Sequence, residues 1–190
     1  MYQTRGFIIR STNTGEADRT IFVFTETLGL VAVNARATRK VSSKLRYSLQ
    51  NYSFIRLVMV RGKNVWRLTD AENLVSFHTA CDAKKLKILA GIFSFLNRFI
   101  HGEGENFILF ANLANLFYFL KETELSDDEM FSAEILADVQ IFSALGYVGE
   151  SKTLAPFLAT KISKSTVENF APHRAEALKE INRALKESHM

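Results

Sequence analysis

Lysine and arginine are concentrated in one stretch of the sequence, "ARATRKVSSKLRYSLQNY" at residues 35–52. Five cations fall within eleven positions there: Arg36, Arg39, Lys40, Lys44 and Arg46. From Thr27 to Thr69 the chain has nine Lys or Arg residues and no Asp or Glu. Such a run is often a solvated loop, but it also suits a polyanion, because cations that meet phosphates release condensed counterions. The chemistry indicated is phosphate binding.

Aromatic residues beside this stretch add a second feature of nucleic-acid-binding surfaces. Tyr47 and Tyr52 offer rings on which bases can stack, whatever the base sequence. Other cations of the first seventy residues are expected to contribute less: Arg5, Arg56, Arg61, Lys63 and Arg67. Because no base-reading motif is present, we predict nucleic-acid binding with little sequence preference.

Signals for catalysis or for a bound group are weak. "GEGENF" at residues 102–107 lacks the spacing and the preceding strand of a phosphate-binding loop. His78 and Cys81 form half of a zinc site, and no second cysteine completes it. A Cys–His nucleophile stays open as an alternative, although no third group that would orient it is identifiable. The sequence favours a protein that is not an enzyme and that has no metal and no cofactor.

The net charge of +4 is unevenly distributed along the chain. Residues 1–80 carry twelve basic and five acidic side chains, whereas residues 81–190 carry twelve basic and fifteen acidic ones. A basic first part joined to a mildly acidic second part suggests two units with different partners. The first is suited to nucleic acid or anionic lipid.

Three further features concern the cellular compartment. Cys81 is the only cysteine, so no intramolecular disulfide can form and a reducing cytoplasm fits best. The longest charge-free apolar run, residues 107–120, is shorter than the roughly 20 residues that cross a bilayer. The N-terminus shows no secretory signal. We expect a cytoplasmic, nucleoid-associated protein that does not bind a membrane.

The first seventy residues have the pattern of short strands. β-branched and aromatic runs alternate with turn-forming residues, and a long connection follows the third run. Five short strands in under eighty residues suggest a closed barrel of the oligonucleotide-binding (OB) type. A two-residue loop at 62–63 would place Arg56 and Arg67 on the outer face as near diagonal neighbours.

After residue 80 the apolar period becomes helical. Apolar residues recur at three- and four-residue spacing from Leu86 to Ile100, and a second apolar helix is expected at 107–121. Ser126 and Glu129 form a capping box that opens a third helix. The predicted fold class is α+β, with a five-stranded OB-type β-barrel at 1–80 followed by an all-helical domain at 81–190.

Short motifs occur in a fixed order through the first seventy residues. The positions are Gly6, Phe7, Gly15, Glu16, Asp18, Thr25, Gly29, Ala35, Arg36, Arg39, Lys40, Ser43, Leu68, Ala71 and Glu72. Their order and spacing resemble the N-terminal part of the RecO family of bacterial recombination mediators. In the second half, "FSALGY" at residues 142–147 is similar to an element of the family's helical domain.

The resemblance implies an OB domain, a helical domain, binding of single- and double-stranded DNA, and strand annealing. It also implies partners: RecR, and the C-terminal tail of single-stranded-DNA-binding protein (SSB), with which the family places RecA on coated DNA. For that acidic tail the candidates are Lys84, Lys85 and Lys87, with a solvated helix start as the alternative. Many members have a Cys-rich zinc site after the Gly-Tyr element; this sequence has no cysteine and one histidine, His173, there, so no zinc is predicted. The sequence is also short for the family.

Two other functions are compatible with the same residues. A basic OB barrel can bind structured RNA, in which case the 2′-hydroxyl should matter. It can also be a protein-interaction module whose basic loop binds an acidic peptide. Preference for single-stranded DNA over RNA, or tight peptide binding without nucleic-acid binding, discriminates among the three.

Overall fold

The first part of the chain forms a closed five-stranded barrel. The computed structural model describes residues 1–40, 43, 45–63, 65–77, 81–100, 102–149 and 151–187. The strands are β1 (Tyr2–Thr14), β2 (Asp18–Thr25), β3 (Gly29–Ala35), β4 (Ser53–Arg61) and β5 (Trp66–Ser76). They close in the order β1-β2-β3-β5-β4, and only β3 and β5 pair in parallel. This architecture confirms the predicted OB-type barrel.

Side chains at every second position of the strands form the barrel core. In β3, Val31, Val33 and Ala35 are buried, whereas the residues between them are partly exposed. Ile55 and Leu57 of β4 are completely buried in the same apolar cluster. Because strand side chains alternate between two faces, β-branched residues at every second position are enough to separate core from surface.

The β4–β5 hairpin differs from the prediction. Arg61 pairs with Trp66, so the loop spans residues 62–65 and the predicted two-residue loop is wrong. The Gly62 N–H donates to the Val65 carbonyl at 2.9 Å and closes this wider loop. Arg67 is opposite Val60 as a result, and a register shift between Val58 and Met59 then places Arg56 opposite Glu72. Arg56 and Arg67 are therefore not diagonal neighbours.

Helices α1 (Leu45–Ser48) and α2 (Ala83–Phe99) accompany the barrel. The Asp82 side chain caps α2 by accepting from the Lys85 N–H at 2.9 Å. On its buried face, Phe93 lies with its ring 6.1 Å from that of Phe7 in β1. The chain divides into compact units at Met1–Phe107 and Ile108–Met190, so α2 lies in the barrel's unit. That the nucleic-acid-binding domain ends at residue 80 stays a prediction.

The second unit is helical. Its helices are α3 (Phe107–Glu122), α4 (Asp127–Ala144), α5 (Ala155–Leu158), α6 (Lys164–Phe170) and α7 (Arg174–Glu187), with a 3₁₀ turn at Ala171–His173. The predicted capping box opens α4: the Ser126 hydroxyl accepts from the Glu129 N–H, and the Glu129 carboxylate accepts from the Ser126 N–H. Of the helices in the described ranges, none has the length and apolar character needed to span a bilayer.

Candidate nucleic-acid interface

The basic connection, residues 36–52, leaves β3 beside the β1–β2 turn and is hydrogen-bonded to it. The Ala37 N–H donates to Asp18 Oδ1 at 2.8 Å, and the Arg39 N–H donates to the Ala17 carbonyl at 3.0 Å. The Arg39 guanidinium also donates to the Gly15 carbonyl at 3.0 Å. The start of the connection is thus anchored, so Arg36 and Arg39 project from a backbone that is hydrogen-bonded to the β1–β2 turn.

Most cations of the basic connection point to solvent. We use the name connection cations for the four exposed ones that the structure describes: Arg36, Arg39, Lys40 and Arg46. None of the four has a carboxylate from the described ranges within ion-pair distance. Lys44, predicted with them, lies outside the described residues. Exposed cations without acidic partners are available to phosphates.

The two predicted stacking residues lie in different environments. Tyr47, in α1, is 70% exposed. Tyr52 is half-buried with φ of 62°, and its ring lies 5.8 Å from that of Phe93. Its N–H donates to the Ile8 carbonyl at 2.8 Å, which ties it to β1. Tyr47 has the more accessible ring for stacking, while Tyr52 takes part in packing.

Three predicted cations on the barrel, Arg5, Arg56 and Arg61, pair with carboxylates that lie outside residues 27–69, the last of them with Glu103. Arg5 forms a two-bond pair with Glu26 at 2.8 and 3.0 Å, and Arg56 pairs with Glu72. Arg5 and Arg56 are themselves partners across β1 and β4. The two acids therefore flank two adjacent arginines and offset their repulsion. Because exposed pairs of this kind are weak, they reduce but do not abolish the availability of these cations.

The remaining predicted cations lie around the β4–β5 hairpin. Lys63 is exposed in the loop, and Arg67 is exposed on β5. Arg67 is opposite Asn34 of β3, two residues before Arg36. The parallel β3–β5 pairing thus brings Arg67 close to the beginning of the basic connection, although the two are separated by a long stretch of sequence.

Two residues on the outer surface of β2 and its neighbour were missed by the sequence reasoning. Phe22 is partly exposed between the buried Ile21 and Val23. The Arg10 guanidinium lies 3.3 Å from the centre of the Phe22 ring and donates to Asn97 Oδ1 at 2.6 Å. The two-residue period of a strand, counted from the core residue Ile21, was the signal that could have placed Phe22 outside. Outer surfaces of β2 and β3 are where OB barrels bind oligonucleotides.

A cleft of about 270 Å³ opens on this outer surface. Its walls come from β2, β3, the β4–β5 hairpin and the segment after α2: Phe22, Leu30, Val31, Ala32, Arg61, Val65, Trp66, Gly102 and Glu103. The Glu103 carboxylate accepts from Trp66 Nε1 at 3.0 Å and from the Arg61 guanidinium. Although partial burial raises the pKa of Glu103, those bonds outweigh it and hold the pKa below its ordinary value. Glu103 is therefore an anion in this cleft at neutral pH.

A metal centre is not formed by the residues that the structure describes. In those ranges no three His, Cys, Asp or Glu side chains lie together in an arrangement that could hold an ion. His78 is outside the described residues, and Cys81 is a partly buried cysteine that forms no disulfide.

Comparison with known proteins finds a family match for the N-terminal part of the chain. Residues 1–77 match the family model described as "Recombination protein O N terminal". The chain is 35% identical over 77 residues to the DNA repair protein RecO of Rubrobacter xylanophilus, covering 40% of this chain and 31% of the relative. The N-terminal part of this chain belongs to the RecO family. The resemblance read from the short motifs is thereby confirmed.

Similarity to RecO extends into the helical part at lower identity. The RecO proteins of Acetivibrio thermocellus and Clostridium novyi are 25% and 26% identical over 146 and 151 residues, or 76% and 77% of this chain. Both matches cover 57% of the relative, so the chain spans from about a third to somewhat over half of the length of these RecO proteins. All the predicted DNA-binding residues lie within the segment that matches the family model, whereas Glu103 and the candidates for the SSB tail lie beyond it.

Proposed function

We propose that this chain is a non-enzymatic DNA-binding mediator of recombinational repair. In this proposal it binds and anneals single-stranded DNA in the cytoplasm, at the nucleoid, and also contacts double-stranded DNA. With RecR it helps to load RecA onto SSB-coated DNA. The observation that carries the proposal is the set of four exposed connection cations, which have no acidic partner among the described residues, on a barrel that matches the RecO family.

Two interactions favour the proposed DNA binding: electrostatic pairing of cations with phosphates, and stacking of bases on an aromatic ring. Phosphates that pair with the connection cations release counterions, which favours binding at low salt. Tyr47 is exposed within the same connection and offers a ring to one base. The outer surface of β2 and β3 supplies a groove, with Lys63 and Arg67 at the β4–β5 hairpin. This combination is suited to single strands, whose bases are free to stack.

The protein partners belong to the proposal as well. The tail of SSB is acidic, and Lys84 and Lys87 are exposed in the first turns of α2, whereas Lys85 is only 5% exposed. Lys84 and Lys87 are therefore the proposed contacts for that tail. We also propose RecR as a partner, a proposal that rests on the RecO family alone.

The test is fluorescence anisotropy with three labelled probes at several salt concentrations: single-stranded DNA, RNA of equal length, and an acidic SSB-tail peptide. We expect DNA binding that weakens steeply with salt, no preference for RNA, and separate saturable binding of the peptide. RNA preference would identify an RNA-binding factor instead. Peptide binding without nucleic-acid binding would identify an interaction module and overturn the proposal.

A further inference from the structure

The segment after α2 folds back onto the barrel. Glu103 forms an isolated antiparallel bridge with Gly29 at the start of β3, and the Gly104 N–H donates to the Leu28 carbonyl at 3.2 Å. Gly29 has φ of +67°, and a Cβ on it would lie 2.1 Å from the Gly104 carbonyl oxygen. Only glycine permits so close an approach of two backbones. The segment is therefore seated on β3 beside the cleft.

This seating places a carboxylate at the cationic end of the cleft. The Arg61 guanidinium lies 4.8 Å from the centre of the Trp66 ring, and both residues donate to the Glu103 carboxylate. A carboxylate and a phosphate use the same kind of charge-assisted hydrogen bond with arginine. The anion position beside Arg61 is thus filled by a group of the chain itself.

The rest of the cleft suits one base of a nucleic acid. Phe22 and the 47%-exposed Val65 form apolar walls, and the volume of about 270 Å³ is at the lower end of small-molecule pockets. Arg61 and Glu103 have 56% and 42% of their side-chain surface exposed. Exposed ion pairs are weak, so a phosphate can replace this one at small cost.

We infer that Glu103 is an internal competitor of nucleic acid: its carboxylate occupies the position of a backbone phosphate beside Arg61, and single-stranded DNA enters the cleft by displacing it. This inference rests on the proposed function and adds to it an inhibitory contact on the outer barrel surface. The connection cations can hold DNA while Glu103 is in place. Occupation of the cleft then requires its release.

The first experiment measures the affinity of the full chain for a labelled single-stranded oligonucleotide at low salt. Glu103→Gln is compared with Glu105→Gln, which removes the same charge from the same exposed segment. Glu105 forms no ion pair within the described part of the chain. We expect E103Q to bind about three- to fivefold more tightly than wild type, the range of an exposed pair, and E105Q to stay close to wild type. In an Arg61→Ala background the gain should disappear.

Trp66 gives a second measurement that needs no variant. It is the only tryptophan of the chain, so tryptophan emission, excited selectively over the tyrosines, reports on the cleft alone. Saturating DNA should change the emission of the wild-type protein, because the Glu103 bond to Trp66 Nε1 is lost. Unchanged emission at saturation would overturn the inference.

The outcomes separate the inference from the proposed function. If E103Q and E105Q bind alike while changes in the connection cations weaken binding, the internal competitor is refuted and the proposed function stands. If no form of the protein binds DNA in a salt-dependent manner, both are refuted.

Discussion

Replacing Arg39 and Lys40 by alanine tests the basic connection directly. Both side chains are exposed and have no carboxylate partner in the described ranges. If about four to six cations meet phosphates, the logarithm of affinity for single strands falls with log salt at a slope of about −3 to −4. Each lost contact contributes roughly 0.7 to that slope, so the double variant should lower it by about one to two units.

These slopes translate into large differences between two salt concentrations. From 50 to 200 mM salt, a slope of about −3.5 corresponds to a loss of about 130-fold in affinity, and a slope near −2 to about 16-fold. The assay is anisotropy of a labelled oligonucleotide over that range, with several base sequences. All sequences should be weakened alike, because phosphate contacts carry no sequence information.

A matched control is available in the helical unit. Lys179 and Lys186 are exposed on α7, and their replacement by alanine changes the net charge by the same amount. We expect this control to keep the wild-type slope within about half a unit. If the Arg39/Lys40 variant has the same slope as the control, the basic connection does not bind DNA.

Further predictions concern stability. Leu57→Ala in the barrel core should lower the free energy of unfolding by about 2–5 kcal/mol in urea denaturation, whereas Val65→Ala, half-exposed in a loop, should change it by less than about 0.5. Ser126→Ala removes the α4 cap and should cost about 1 kcal/mol; a cost near zero would contradict the capping box. Backbone and side-chain hydrogen bonds from Ser126, with Lys164 next in effect, lower the pKa of Glu129 to about 2. The ionised Glu129 carboxylate should therefore stabilise the fold fully above about pH 4.5, and this stabilisation should be lost toward pH 2. Glu129→Gln should therefore be less stable than wild type at pH 7 but equal to it at pH 2. Burial, and to a smaller extent the charge of Glu134, raises the pKa of Asp138 from 3.8 to about 7. The folded state therefore binds the proton more tightly than the unfolded state, and the wild-type protein loses stability as the pH rises from about 4 to 7. Asp138→Asn should be more stable than wild type at pH 8, by at most about 4 kcal/mol, and equal to it at pH 4; equal melting at pH 8 would refute the assignment.

Local patterns explain why the elements of this chain were predictable. Two-residue alternation marks the strands, and the period of three to four marks α2. The capping box of Ser126 and Glu129 involves neighbours only three positions apart, so it forms as the sequence indicates. The basic connection was visible because charge density is a property of sequence, and its exposure follows from the solvation of charged groups.

What the sequence by itself determined is therefore the five strands, the helices α2 to α4, the basic connection and the family resemblance. Tertiary structure alone decided which cations have acidic partners. Strand pairing brings Glu26 to Arg5 and Glu72 to Arg56, and the segment after α2 brings Glu103 to Arg61. Register depends on a bulge and on the closure of a four-residue loop, each a balance of small energies between segments distant in sequence. The same non-local closure places Glu103 at Trp66 and packs Tyr52 against Phe93. An acid-free stretch of sequence is thus not an acid-free surface, because a barrel brings together residues that the chain keeps far apart.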